Sequence, residues 1–568
     1  MIALVLPMVA SAHDIEVVNP EGKTIYYVWI NDHTELSVAS RGEGAQGEQY
    51  EGDIIIPETV VYEDVTYNVT GIEPLALRFC DGITSVVVPK SIKTIGGAAF
   101  GNRGLESITI HSDEFMQNGD IRSAFEGSYC HIIFGDEVTS IPDWAFGNIY
   151  ITGVTFGKGM KSIGAHAFWG CQGLTSVTIP DNVTELKTCA FYSCYHIESV
   201  EVGNGVSVIE PQTFAYCIAL TSVTLGNSVE EIGKDAFYKC NKLTAIDLPP
   251  SVKRIGSTAF LGCEKMEYCT GGSGLTSIAD HAFYECRSLK SFVIPEGVTA
   301  IEDETFNECT SMESIQIPGS VTRIGACAFV HCRSLKSLFI PRSVTSIGGM
   351  AFGECLSLES IQVEEGNPVY DSRENCNAII REVTNITTFL EVGCQNTTIP
   401  SSVTYIGASA FWAQRKLTSI EIPSTVKYIQ SDAFEYCDNL TSLTLPSTHV
   451  SLSGYAFYYG GDDTAPVTIR NQRREPTDIE QDVFSPYLYE HATLVVPNGT
   501  VDKYKACEGW KNFANIIEER QTAVQTVVTD TPSVQERYTL DGKRSATPQR
   551  GLNILRMSDG SARKVLAQ

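Results

Sequence analysis

Eighteen cysteines, ten histidines and many serines are the side chains of this 568-residue chain from which nucleophilic or metal chemistry could be built. A zinc site needs ligands that converge, with spacings such as C-x-x-C or paired Cys and His. No such spacing occurs here. A nucleophile needs a base and a group that orients the base. His166, His196, His281 and His331 stand in no G-x-S-x-G or H-E-x-x-H setting. Gly271-Gly272-Ser273-Gly274 lacks the lysine and the strand–helix context of a phosphate loop. Gly460–Asp463 (GGDD) lacks the pattern of a calcium-binding loop and is read as a turn. The expectation is a protein without catalytic residues, metal or cofactor.

The chemistry-bearing residues recur because the whole chain does. A phenylalanine returns every 23 residues at Phe168, Phe191, Phe214, Phe237, Phe260, Phe283, Phe306, Phe329 and Phe352. A fixed period of this length marks a solenoid or array. One unit, Leu174 to Cys194, reads LTSVTIPDNVTELKTCAFYSC. Leu174, Val177 and Ile179 have the L-x-x-L-x-L spacing of a strand lining a leucine-rich-repeat horseshoe. Alternation places Val177 and Ile179 on one face, Ser176 and Thr178 on the other. Pro180 ends the strand because it has no N–H for a ladder. Val183 and Leu186 then lead into a turn with Ala190, Phe191 and Cys194. Twenty-three residues cannot enclose a core, so each coil must bury its apolar side against the next. About seventeen coils at about 4.8 Å each would span about 80 Å.

The motif S-V-x-x-I-G-x-x-A-F-x-x-C, as in Ser251–Cys263 (SVKRIGSTAFLGC) and Ser320–Cys332 (SVTRIGACAFVHC), resembles the BspA-type leucine-rich-repeat proteins of bacterial surfaces. The resemblance covers about residues 65–515. Pro180, Pro295, Pro318 or Pro341 stands where the commoner leucine-rich repeat has Asn or Cys. It implies a β-rich solenoid, a right-handed superhelix of about 23-residue coils, and an adhesive role. Repeats fix shape, however, while the residues that bind vary.

Eleven cysteines share one repeat slot: Cys80, Cys171, Cys194, Cys217, Cys240, Cys263, Cys286, Cys309, Cys332, Cys355 and Cys437. Stacked in successive coils their side chains run parallel, whereas a disulfide needs Cβ atoms converging to about 3.8 Å. They are read as small buried hydrophobes. Cys376 and Cys394 lie off this ladder and are the disulfide candidates. A formal charge of −27 and a pI near 4.8 argue against nucleic acid and anionic membranes as partners.

In order, residues 1–12 (MIALVLPMVASA) end in Ala10-Ser11-Ala12 like the late part of a secretory signal, without its positive start. Residues 13–65 are expected as an N-terminal β cap, with strands at Tyr26–Ile30, Thr34–Ala39 and Asp53–Ile56. Residues 66–518 form the solenoid, in which Phe100, Phe125 and Phe146 are unevenly spaced. An insertion at 364–400 delays the next phenylalanine to Phe411. Its strand-like Ala378–Arg381 and Thr387–Val392 suggest a hairpin, read either as a gripping arm or as an enlarged coil. Asp502–Glu518 has helical spacing after a strand at Thr493–Val496. Residues 519–535 read as a linker. The tail, 536–568, resembles the C-terminal sorting modules of type IX secretion. No segment is expected to span a membrane, and the exported body is expected to be a monomer at the cell surface or outside the cell.

Two candidate surfaces follow. The outward strand slot holds Thr178, Glu201, Thr224, Asp247, Val293, Gln316, Phe339 and Gln362, continuing at Glu421 and Thr444. It varies while the buried slots barely change, as a recognition row would and as an unconstrained solvent face would. Phe339, an aromatic on that face, is the candidate anchor. A second row follows the repeat phenylalanine: Trp169, Tyr192, Tyr238, Tyr284, Trp412 and Tyr458. Such a ridge could stack on sugar rings or simply pack over neighbouring turns. The favoured function is non-catalytic binding of an extracellular protein or cell-surface ligand, such as host matrix protein or another cell. The alternative is glycan capture for uptake.

Overall fold

The computed structural model describes residues 13–42, 50–102, 104–460, 466–519, 534–539, 543–547, 551–557 and 562–567. The expected signal at 1–12 and most of the expected linker lie outside the described residues. Among them, each regular coil contains two strands. The longer, such as Ser176–Ile179, joins a parallel sheet with its counterparts Ser199–Val202 and Ser222–Thr224 in strict 23-residue register. The shorter, such as Glu185–Leu186, Val208–Ile209 and Glu231–Ile232, lines the opposite wall of the coil. The first wall counts nineteen strands among the described residues, from Glu51–Ile55 to Asn515–Glu518. The chain is thus a β-solenoid. It has two rungs beyond the seventeen expected, because Glu51–Ile55 pairs with Gly82–Val88 and because Asn515–Glu518 is a strand rather than helix.

Between the walls lies the phenylalanine stack. From Phe168 to Phe352 successive ring centroids are 5.0–5.6 Å apart with planes within 13° of parallel. A spacing slightly above the strand separation makes these offset stacks, the arrangement the ring quadrupole favours. The rings are fully or almost fully buried.

The turn around each phenylalanine is unusual. The residues two before and two after it have positive φ, as at Cys189 (57°) and Ser193 (58°), or Asp235 (55°) and Lys239 (57°). Such left-handed backbone costs a non-glycine residue about 1–2 kcal/mol. It turns three alternate N–H groups toward the following coil. Cys189, Phe191 and Ser193 donate to the carbonyls of Pro211, Thr213 and Ala215 at 3.1, 2.9 and 2.8 Å. The same three bonds recur down the edge and offset the strain.

The cysteine ladder uses its thiols as well as its bulk. From Cys171 onward each ladder Sγ donates to the carbonyl of a phenylalanine in the preceding coil: Cys194 to Phe168 at 3.0 Å, Cys240 to Phe214 at 3.2 Å, Cys332 to Phe306 at 3.3 Å; Cys80, in the first coils, bonds Arg78 instead. Ser128 fills the slot once and bonds Phe100 the same way. A cysteine is therefore small, apolar and still a donor for a buried carbonyl. All described cysteines are free thiols. Cys376 and Cys394 are not bridged, which corrects the expectation. The two thiols pack into different hydrophobic clusters and bond separate backbone carbonyls, Ala378 and Asn377.

The ends and irregularities follow local chemistry. Strands Ile15–Val18, Thr24–Ile30, Glu35–Val38, Thr59–Tyr62 and Val65–Ile72 form a mixed sheet over the first coils. Short helices at Asp113–Asn118 and Ile121–Ala124, capped by Ser112 and Asp120, account for the uneven Phe100, Phe125 and Phe146. Of the helical reading at 502–518 only Val501–Ala506 is α-helix; a turn of 3-10 helix at Trp510–Asn512 precedes the last strand. The tail strands Val534–Tyr538, Gly551–Met557 and Ala562–Ala567 form an antiparallel sheet.

The insertion is a hairpin, Ala378–Thr384 with Thr387–Gly393. It does not stand out as an arm: its second strand pairs parallel with Tyr405–Ile406 and continues the second wall. The hydrophobic core is divided here, one cluster running from the N-terminal sheet through Phe352 to Ile379 and Cys394 and another from Cys376 and Ala378 to Phe513.

Two outcomes are expected. Phe237→Ala should cost about 3–5 kcal/mol, as for other fully buried aromatics, read as a lower urea midpoint. The buried ladder thiols are held above the usual thiol range by desolvation, Cys194 and Cys355 to about 12. Below pH 9, the ordinary thiol value, both folded and unfolded states keep their protons and stability is intact. Above it the unfolded chain releases protons that the folded chain retains, so stability falls at about 1.4 kcal/mol per pH unit for each thiol. With eleven in register, circular dichroism under reducing conditions should show steep unfolding soon above pH 9. Replacing three of them by alanine (Cys217, Cys240 and Cys263) should make the slope shallower.

Candidate binding surface

The alternation of the long strands sorts their side chains by face. Val177, Ile179, Val200 and Val202 point inward and are buried, while Thr178, Glu201, Thr224 and Asp247 point outward and are exposed. Cross-strand register makes the outward positions one row. Thr178 stands beside Glu201 and Glu201 beside Thr224; Asp247 faces Thr270, Val293 faces Gln316, and Phe339 faces Gln362. Hydroxyls tie the acids in place, Thr178 to Glu201 at 3.3 Å and Thr270 to Asp247 at 2.8 Å. Val293 is 62% and Phe339 48% exposed, two rungs apart. Thr270 belongs to this row and was missed, because Gly271 and Gly272 disguise its strand. Farther along, Glu421 is exposed and Thr444 half-buried.

Two further rows flank it. Beside the variable row runs a row of mostly small residues, Ser176, Ser199, Ser222, Ala245, Ser291, Ser314, Ser337 and Ser360, interrupted by the exposed Tyr268 and paired rung to rung from Ser176 to Ser314 and from Ser337 to Ser360. The next position alternates in charge: Glu267, Lys290, Glu313, Lys336, Glu359. Lys290 meets Glu267 at 2.5 Å and Lys336 meets Glu313 at 2.8 Å. The hydrogen bond to Glu267 holds Lys290 above the usual lysine range, and the bond from Lys336 holds Glu313 below the usual carboxylate range. Lys290 also lies over the exposed Tyr268 ring, 5.1 Å from its centroid.

The aromatic positions behave differently. Trp169, Tyr192, Tyr238, Tyr284, Trp412 and Tyr458 are all half-buried. Trp169 stacks on Tyr192 at 6.3 Å, and Tyr192 and Tyr238 meet only through Tyr216, edge to face at 5.4 and 5.2 Å. Trp144 extends this ribbon at the other end, against His166 and Trp169. Tyr216 escaped notice because it stands two places after its phenylalanine rather than one. Tyr284 is separated from the ribbon by Leu261, and Trp412 and Tyr458 belong to coils beyond the insertion. The six expected positions are therefore not one ridge.

The repeat matches the model of the BspA type leucine rich repeat region over residues 62–175, 139–267, 255–378 and 382–486. The chain belongs to this family. Among solved structures the chain is similar to a leucine-rich repeat protein from Bacteroides ovatus, 24% identical over 78% of this chain and 93% of that one, with a TM-score of 0.42. A leucine-rich cell surface protein from Faecalibacterium prausnitzii is 23% identical over 76% and 94%, with a TM-score of 0.31. A leucine-rich repeat protein from Eubacterium ventriosum is 18% identical over 79% and 96%, with a TM-score of 0.30. No curated protein matches the chain. BspA-type repeat proteins are typically surface or exported proteins whose repeats act as non-catalytic interaction scaffolds. Among the described residues no helix is long and apolar enough to cross a membrane, and no three His, Cys, Asp or Glu side chains cluster as metal ligands would.

The ribbon's geometry makes it a packing feature that can be tested. Tyr216→Ala removes two edge-to-face pairs, each worth about 0.5–1.5 kcal/mol. Urea denaturation should show a loss of about 1–3 kcal/mol, although the ring is only half-buried.

Proposed function

We propose that this protein is a non-catalytic, adhesin-like binding protein of the cell surface or extracellular space. It grips a protein ligand, on host matrix or on another cell, through the outward strand row. The observation that carries this reading is a contrast between neighbouring rows. Both the serine row and the row from Thr178 to Gln362 face solvent on the same strands. Solvent exposure alone would let both drift, yet the first keeps serine or alanine at every rung from Ser176 to Ser360 except Tyr268, while the other changes chemistry at nearly every rung. The small residues on either side of Tyr268 leave a shallow floor on which a ligand backbone can lie, and the varied row supplies selectivity. Phe339 and Val293 give apolar anchors of the kind that dominate interface energetics, and Glu201 and Asp247 give charge complementarity to a basic partner.

Glycan capture is a second reading, favoured by one observation: the ribbon from Trp144 to Tyr238 leaves part of its Trp144 face to solvent. The ribbon's rings spend most of their surface on each other, which is why protein binding is preferred.

Immobilised matrix proteins and a glycan array, probed with the full chain at physiological salt, separate the two. Saturable protein binding weakened at least tenfold by Phe339→Ala, and weakened by Glu201→Lys with Asp247→Lys, is the expected result. Retention on glycans alone, lost when Trp169, Tyr192 and Tyr238 are replaced by alanine, would instead place the function on the ribbon.

A further inference from the structure

The variable row has a second order within it. From Thr178 to Gln362 nine rungs present one outward residue each, and all nine are exposed. Every other rung carries a neutral hydroxyl or amide: Thr178, Thr224, Thr270, Gln316 and Gln362. The rungs between them carry the acids and then the apolar groups, in the order Glu201, Asp247, Val293, Phe339. Neutral members serve their neighbours, as Thr178 and Thr270 donate to the carboxylates of Glu201 and Asp247. Groups able to anchor a partner therefore recur at two-rung intervals, about 9.6 Å at the usual strand separation. Glu201 and Phe339 stand six rungs apart, or about 29 Å.

A partner that follows this row runs across the strands and must repeat its contacts at the same interval. An extended strand repeats one face every two residues, about 6.8 Å. An α-helix repeats it every seven residues, about 10.5 Å, and is about 2.7 Å out of step after three intervals. A polyproline II helix repeats every three residues, about 9.3 Å, and stays within about 1 Å over the same distance. The floor beside the row makes the same selection. Ser222, Ser291, Ser314 and Ser337 offer exposed hydroxyls, and a polyproline II backbone has no internal hydrogen bonds, so its carbonyls are free to accept. The carbonyls of an α-helix are already used. The floor's one large residue falls at the middle. Tyr268 shares a strand with Thr270, at the rung where the row passes from acidic to apolar, and is 45% exposed. Lys290 holds it, donating to the phenol oxygen at 3.2 Å and lying 5.1 Å from the ring centroid. Proline-rich segments pack against aromatic rings placed along their path in this way.

We propose, on the reading of this row as the binding face, that what it holds is a polyproline II segment of a partner protein laid along the solenoid axis. Basic side chains at the first and fourth positions of the segment pair with Glu201 and Asp247, by charge complementarity. Apolar side chains at the seventh and tenth positions cover Val293 and Phe339. The residues between them include proline, whose ring packs on Tyr268, and the serine hydroxyls donate to the segment's carbonyls. Register with the rungs, and not the partner's overall fold, then sets which segments are held.

The test is fluorescence anisotropy of labelled peptides titrated with the full chain at physiological salt. One ten-residue peptide, made in both chain directions, has lysine first and fourth, leucine seventh and tenth, and proline elsewhere. A second has the same composition with the four anchors at alternate positions, and a third is an alanine-rich helix with them seven residues apart. Saturable binding of the first, at least tenfold tighter than of the other two, is expected. Phe339→Ala, and Glu201→Gln with Asp247→Gln, should each weaken it at least tenfold, whereas Thr224→Ala and Gln316→Ala should each cost less than threefold. Tyr268→Ser restores the residue common to the floor, so the melting temperature should stay unchanged while the peptide binds at least fivefold more weakly. No binding of the first peptide, equal affinity for the respaced one, preference for the helix, or equal sensitivity to the neutral rungs would each overturn the proposal. Matrix-protein binding lost with Phe339→Ala, alongside any of those results, would keep the row as the binding face and remove only the polyproline II segment.

Discussion

Each coil ends in a turn whose N–H groups can be satisfied only by the coil that follows, and this constraint sets everything else. The left-handed residues around Phe191, Phe237 or Phe283 point three donors along the solenoid axis. An unpaired buried N–H costs about as much as the strain that aims it, so a coil of the wrong length cannot be tolerated cheaply. The result is a register of 23 residues that also superimposes the phenylalanine rings and the cysteine thiols. Stability is then a sum over neighbouring coils rather than the property of one centre.

The insertion shows what happens when that rule is relaxed. A hairpin can extend one wall, because antiparallel strands carry their own ladder into the parallel one at Tyr405–Ile406. It cannot reproduce the turn, so the edge donors, the aromatic stack and the thiol bond all lapse together. The hydrophobic core divides at the same rung. Gly393 is required there because an added Cβ would strike the Phe411 ring.

A strand wall of this kind separates structure from recognition. Inward positions are bound to the stack and can change little, while outward positions touch only their rung neighbours. The alternating Glu267, Lys290, Glu313, Lys336 and Glu359 row uses that freedom for mutual pairing. These pairs are exposed and contribute little to stability. Their effect is to neutralise one edge of the wall in a chain of formal charge −27, leaving Glu201 and Asp247 as the acidic members of the row proposed to bind.

The period alone determined the solenoid. Residues 23 apart had to stack, so the inward and outward faces of strands such as Ser176–Ile179 and the burial of the cysteine slot could be read from alternation. The cysteine slot also argued correctly against disulfides along the ladder, and the same geometric reasoning was not available for Cys376 and Cys394, whose coil has no counterpart. Tertiary structure decided what local pattern cannot carry. It placed Tyr216 in a ribbon with residues from other coils, gave the ladder thiols from Cys194 to Cys437 a carbonyl 26 residues upstream, and turned the end of the helical-looking 502–518 segment into a closing strand, because the last open edge of the sheet outweighs a weak helical preference. It also left Gln414 facing a gap. A sequence shows that a cysteine has been replaced there, but only the missing rung explains why a longer, polar side chain fits.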